Sequence, residues 1–325
     1  MRHPSSGSIT MSCCGPTVDD SVDAALSTKR SPFDRRALSQ ALSRAAKASV
    51  AETLAGAAPE FSGRSRLIGI TGPPGAGKST LVARLAPFRL AKAASLAIIA
   101  IDPSSPRTQG SILGDRIRME ALGDHPRLYI RSLPSRHAHD GLTENLPEIL
   151  ATLEAFGFDE VLVETVGVGQ TAYGVRALVD AEILVLTPGA GDQIQAMKAG
   201  IMETADLFVV NKSDLPGAER LEAELLGVLR HRSSEPPPVL RVKLGDDASV
   251  AALSDALDRH LATIAESRDA REVSRNRRRF RVQSLIQRRL EETLEAQPAD
   301  AWEEELPDLY QRIAEQLLRK NGGQF

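Results

Sequence analysis

One nine-residue run restricts this chain more than any other. Residues 72–80 read GPPGAGKST, and a short apolar run, RLIGIT (66–71), leads directly into them. Gly72, Gly77, Lys78 and Ser79 keep the spacing of a phosphate-binding loop set between a strand and a helix. The glycines let backbone N–H groups curl around an anion, and a helix beginning at that point adds the positive end of its dipole. Lys78 is placed to reach the β- and γ-phosphates, and the Ser79 hydroxyl to reach a magnesium ion.

The rest of the pattern supplies the sheet such a loop needs. Further apolar runs occur at 96–102, 127–131, 160–164, 182–187, 206–211 and 238–242, separated mostly by amphipathic stretches such as NLPEILATLEAFG and AERLEAELLGVLR. Continuous apolar strands alternating with helices predict an α/β fold, a P-loop NTPase G-domain with a mostly parallel sheet covered by helices. Ligands of such sheets bind at the carboxyl ends of the strands, so the residue after each strand is where chemistry is expected. The expected layout is a disordered tail at 1–30, a helical segment at 31–61, the nucleotide domain at 62–265, and a helical extension at 266–325 that packs on the domain or on a second subunit. Leu38, Leu42 and Ala45 form the apolar stripe of the first helix. Leu285, Ile286, Leu290 and Leu294 form a later stripe, and Leu306, Leu309, Tyr310, Ile313, Leu317 and Leu318 the last.

The strand ends carry the chemistry. VVNKSD ends the sixth strand, and Asn211, Lys212 and Asp214 give the N-K-x-D pattern of a guanine reader. The Asp214 carboxylate accepts from the ring N–H and the exocyclic amine of guanine. Adenine offers neither there, and a buried carboxylate left unpaired is costly. The Lys212 stem can lie against the base. Lys243 and Leu244 stand where many GTPases place a Ser-Ala pair whose backbone touches guanine, and a backbone contact survives the change of side chain. Asp102 ends the second strand and Glu164 the fourth. With Ser79 and the phosphates they offer the hard oxygen donors that magnesium prefers, and Asp115 is a third carboxylate for the same site. Most comparable proteins have aspartate where Glu164 stands, so its longer side chain fits a water-mediated or more distant approach. In Ras-like enzymes a glutamine follows the glycine of this loop and orients the attacking water. Here Val168 follows Gly167 and cannot hold a water, while Gln170 lies two residues on. Slow intrinsic hydrolysis that rises when a partner rebuilds the loop is the expectation.

Composition narrows the setting. A net charge of −3 gives no global reason for nucleic-acid or membrane binding, and 42% hydrophobic residues suffice for a core. The two cysteines, Cys13 and Cys14, are adjacent and form no disulfide framework. No apolar run approaches the length of a membrane span, and the amino-terminal tail lacks the apolar core of a secretory signal. A cytoplasmic protein is expected. The basic run RNRRRFR (275–281), with its one aromatic residue Phe280, reads as a solvated helix face.

Five stretches together, GITGPPGAGKSTL, IDPSSPRTQGSILGDRIRM, VLVETVGVGQ, LTPGAGDQIQAMKAGIMETAD and VVNKSD, resemble the MeaB/ArgK family of P-loop GTPases, over about residues 35–265 and more weakly through the helical tail. The resemblance implies a homodimeric GTPase that chaperones an adenosylcobalamin-dependent acyl-CoA mutase, binds GTP/GDP with Mg2+, and gates cofactor loading. It also implies phosphate contacts at Gly75, Ala76, Gly77, Lys78, Ser79 and Thr80, guanine contacts at Asn211 and Asp214, and metal-site roles for Asp102, Asp115 and Glu164. Asp192, Gln195 and Lys198 fall in an additional switch segment. The glutamate in place of aspartate is the family's hallmark. SRHAHDGL replaces the family's usual loop after the third strand and keeps only Gly141, the segment after Asp214 is shorter, and the C-terminal helices are shortened relative to the family pattern. Two other readings stay open. A metallochaperone would use His137, His139 and Asp140, which do not make a full ligand set. A P-loop kinase would need an acceptor pocket with a general base, and no such constellation stands in the sequence.

Overall fold

The computed structural model of the chain describes residues 33–57, 59–103, 125–135, 145–165, 171–189, 201–230, 236–243, 245–267 and 269–318. Seven strands form one sheet: β1 (Arg66–Thr71), β2 (Leu96–Pro103), β3 (Leu128–Ser135), β4 (Glu160–Glu164), β5 (Ala181–Leu186), β6 (Leu207–Asn211) and β7 (Val239–Val242). Their order is β3-β2-β4-β1-β5-β6-β7, and every pairing is parallel. The apolar runs predicted the strands to within a residue or two, except that β3 continues to Ser135 through Pro134. A proline is tolerated there because β3 is an edge strand and loses no ladder bond on its open side.

Apart from the short helical pieces Val50–Glu52, Thr53–Ala57 and Ala299–Glu303, the helices among the described residues are α1 (Arg35–Lys47), α2 (Lys78–Leu90), α3 (Leu146–Ala155), α4 (Thr171–Leu178), α5 (Ile201–Thr204), α6 (Ala218–Leu229), α7 (Asp247–Ser267), α8 (Ala270–Glu295) and α9 (Leu306–Leu318). Strand side chains alternate between the two faces, and the core divides accordingly. Ile68, Ile70, Ile98, Leu162, Ile183 and Val185 pack with α2 and α7. Leu67, Ile99, Val161 and Val163 pack on the other face with α1, α3 and α4, while Leu184, Leu186, Phe208 and Val210 meet α6.

Buried charge fastens the layers. Arg89 of α2 is fully buried and grips Glu160 of β4 with two bonds of 2.7 Å, while a third nitrogen reaches Asp258 of α7 at 2.7 Å. The helical extensions are held in the same way. Asn145 caps the end of α1 by donating to the Ala45 and Ala48 carbonyls. From α8, Arg277 donates to the Leu178 carbonyl at 2.8 Å and to Asp180 at 2.9 Å, Arg281 reaches Glu148 at 3.2 Å, and Arg288 donates to Ala48 O.

This corrects the solvated-face reading of RNRRRFR. Arg277 is 3% exposed and Phe280 packs against the core, whereas Arg275, Arg278 and Arg279 do face solvent. A run of arginines looks uniform in sequence, and the helix period sends some inward. The later stripes divide similarly: Leu290 and Leu294 pack on Leu309, Ile313 and Leu317, while Ile286, Leu306 and Tyr310 are exposed.

Two consequences for stability follow. Removing one partner of a buried ion pair costs about 3 kcal/mol or more, so Arg277→Ala is expected to lower the urea unfolding free energy by about that amount. Glu182, fully enclosed at the start of β5, is the second case. Burial pushes its carboxyl up to about 7, against the pull of Arg176 and Thr204, with Asp206 adding to the rise. Because the folded state then holds a proton that the unfolded chain releases, stability is fullest at acid pH and is lost as pH rises from about 4.5 through 7. Glu182→Gln is expected to remove that loss, worth at most about 3 kcal/mol at pH 8, as read by denaturant titrations at pH 5 and pH 8.

Candidate functional site

The phosphate loop leaves the middle of the sheet, where β1 lies between β4 and β5. Its backbone shape demands glycine at two points. Gly72 has φ 151°, and a Cβ there would stand 2.1 Å from the Val185 carbonyl oxygen of β5. Gly77, at φ 83°, hands the chain to α2, and a Cβ there would lie 2.7 Å from Asn211 Nδ2. No other residue could bring the loop this close to its neighbours.

Lys78 opens α2 and folds back over the loop. Its ammonium donates to the Gly72 carbonyl at 2.9 Å and the Pro73 carbonyl at 3.2 Å. Ser79, 6% exposed, donates from Oγ to Oε1 of Glu164 at 2.7 Å. The sheet register produces that contact: Glu164 ends β4 level with Ile70 of β1 and with Ala100 of β2. Here the longer glutamate reaches the P-loop hydroxyl itself. Behind it, Thr165 donates from Oγ1 to Thr71 Oγ1 at 3.1 Å and from its backbone to Ile70 O, tying the end of β4 to the entry of the loop. Sequence reading missed this threonine pair, whose only signal is a hydroxyl residue at the end of β1 and another directly after β4.

The oxygen donors of Ser79 and Glu164, buried and in contact, match the ligand chemistry of a magnesium ion. Asp102 lies in β2 two residues beyond Ala100, and nothing further of its side chain is described. Asp115, Gln170, Leu244, Gly167, Val168, Asp192, Gln195, Lys198, His137, His139 and Asp140 lie outside the described residues.

The N-K-x-D stretch, expected to read the base, holds the phosphate loop. Asn211 closes β6, is 2% exposed, and donates from Nδ2 to the Ala76 carbonyl at 2.8 Å. Lys212 adopts a left-handed conformation, φ 54°, and its ammonium donates to the Gly75 carbonyl at 3.0 Å. Asp214 follows β6 by three residues and is exposed. Lys243 follows β7, where its backbone N–H donates to Ser249 Oγ at 3.3 Å. Gly75 and Thr80 flank the loop's centre, the first exposed and the second half-buried.

Comparison with known proteins agrees with this geometry. The sequence model for the methylmalonyl Co-A mutase-associated GTPase MeaB matches residues 35–299. A Caulobacter vibrioides protein that carries a GTPase name is 36% identical over 295 residues, 87% of this chain and 89% of the relative. The mouse methylmalonic aciduria type A homolog is 38% identical over 197 residues, 58% of this chain and 48% of that protein. Among solved structures, a LAO/AO transport system kinase shares the fold at a TM-score of 0.57 and 24% identity, covering 94% of this chain and 100% of its own.

The double role of the N-K-x-D stretch can be separated by mutation. Asn211→Ala strands the Ala76 carbonyl, and it is expected to weaken GDP and GTP alike by about tenfold. Asp214→Ala is expected to erase the preference for guanine over adenine nucleotides. Competition binding with GTP, GDP, ATP and ADP reads both effects.

Proposed function

The chain belongs to the MeaB family of GTPases, and from that premise we propose that it is a magnesium-dependent, homodimeric chaperone of an adenosylcobalamin-dependent acyl-CoA mutase in the cytoplasm. The observation that carries the reading is the family match over residues 35–299, falling on a chain whose phosphate loop, Glu164 and N-K-x-D stretch meet at one sheet edge. The match to a methylmalonic aciduria type A homolog supports the choice of client.

The residues present fit the proposed reaction. When nucleotide enters, Lys78 exchanges the carbonyls of Gly72 and Pro73 for phosphate oxygens, which satisfy the ammonium as well and add charge pairing. Backbone N–H groups at the start of α2 face the same anion. Ser79 and Glu164 would hold the magnesium ion, with Asp102 and Asp115 as further donors. A bound magnesium supplies neutralisation of the charge that gathers on the phosphate oxygens. Asp214 selects guanine, while Asn211 and Lys212 keep the loop in its binding shape.

Val168 offers no group to orient water, and Gln170, two residues on in the sequence, is the residue assigned to substitute. Hydrolysis by the isolated protein is therefore expected to be slow, and to rise at least about tenfold, or about 1.4 kcal/mol of barrier, when the client mutase is added. Single-turnover GTP hydrolysis with and without the mutase tests this. A fast rate from the protein alone, or no change with a mutase that demonstrably binds, would sink the proposal.

A further inference from the structure

At the sheet edge opposite the nucleotide, a second charged cluster stands apart from the phosphate site. Glu182 is the second residue of β5 and Asp206 sits just before β6. The two are locked together through their backbones: Glu182 N–H donates to Asp206 Oδ2 at 2.8 Å, and Asp206 N–H donates to the Glu182 carbonyl at 2.9 Å. Three helices converge on this pair. Arg176 of α4 places its terminal nitrogens 3.2 and 3.0 Å from the two Asp206 oxygens. Thr204, the last residue of α5, donates to Glu182 Oε2 at 3.3 Å, and His260 of α7 lies 3.4 Å from Asp206 Oδ1. Glu182 Oε1 has no hydrogen-bond partner among the described residues.

The helix that carries Arg176 is in intimate contact with the strand that feeds the phosphate loop. A Cβ on Gly69 of β1 would stand 2.8 Å from Val175 Cγ1, so α4 lies against β1 three residues before Gly72. Thr171, where α4 begins, follows Glu164 by seven positions. A shift of α4 therefore bears on β1, the strand that feeds the phosphate loop.

We propose that Arg176 and Asp206 are positioning residues for GTP hydrolysis, seating α4 against β1, and that Glu182 sets their grip by gaining or losing its proton. With Glu182 neutral, Arg176 serves one carboxylate and α4 keeps its seat. Once Glu182 is ionised, a second carboxylate competes for the guanidinium and repels Asp206. Burial places that change near neutral pH. Asp206 is held as a carboxylate, because although burial raises its carboxyl, nearby His260, Arg176 and the Glu182 N–H hold it below the usual range. Among the described residues, the charged groups around Glu182 are thus Arg176 from α4, Asp206 beside β6 and, beyond it, His260 from α7. The inference rests on GTP hydrolysis alone and is independent of the client.

The test is the steady-state GTPase rate of the full chain from pH 6 to pH 8, with kcat and KM separated, for the wild type and Glu182→Gln. The ratio of kcat, variant over wild type, is expected to be near one at pH 6 and to reach about threefold at pH 8, the size of effect one partly buried ion pair exerts on a barrier, with KM unchanged. Arg176→Lys should retain the wild-type pH profile and Arg176→Met should flatten it. Superimposable kcat profiles for wild type and Glu182→Gln would overturn the proposal. So would a wild-type profile in Arg176→Met, and that pair decides the matter if Glu182→Gln gives no folded protein.

Discussion

The two parallel ladders that flank β1 carry the rest of the structure. On one side β4 brings Glu164 level with Ile70, and on the other β5 brings the Val185 carbonyl so near Gly72 that no side chain fits between. A strand buried between two neighbours has every backbone group paired and little freedom to slip, since a shift of one residue would turn its apolar side chains to the wrong face. The loop that leaves β1 inherits that rigidity. The Ser79–Glu164 contact joins the ends of neighbouring strands, and the Asn211–Ala76 contact reaches from β6 past β5 to the loop after β1, so the site is a product of strand order and register.

A preorganised loop matters for phosphate chemistry because the protein has little covalent work to do. It positions the nucleotide and arranges charge around it. In this chain the positioning is shared widely. Asn211 and Lys212, which a motif reading assigns to the base, also hold the loop that takes the phosphates. The end of β6 and the phosphate loop are thereby mechanically joined through the Ala76 and Gly75 carbonyls.

Charge inside the molecule does a second kind of work. Arg89 joins a helix on one face to a central strand, and Arg277, Arg281 and Arg288 fasten α8 to the other face. Arginine suits these places because its planar fork satisfies two acceptors at once while its charge is retained. The buried Glu182 differs, since burial leaves it able to change charge near neutral pH while α4, α5 and α7 lean on it and its neighbour Asp206.

Much of this was legible in the residues themselves. The strands, the phosphate loop, the guanine motif and the apolar stripe of α1 are local patterns, written in consecutive or evenly spaced side chains, and local rules recover them. Asp102, Glu164 and Asp214 could be singled out because the carboxyl end of a parallel strand is where ligands bind. The sequence could not tell which arginines of RNRRRFR turn inward, because periodicity gives a face without saying what lies opposite. Nor could it tell that Thr71 meets Thr165, that Asn211 reaches Ala76, or that Glu182 faces Asp206 and Arg176. Those contacts join residues up to 135 positions apart, and they exist only once strand order and register are set. Sequence determined the chemical inventory and the local elements that carry it. The tertiary structure decided which groups of that inventory touch, because burial and distance are properties of the assembled sheet.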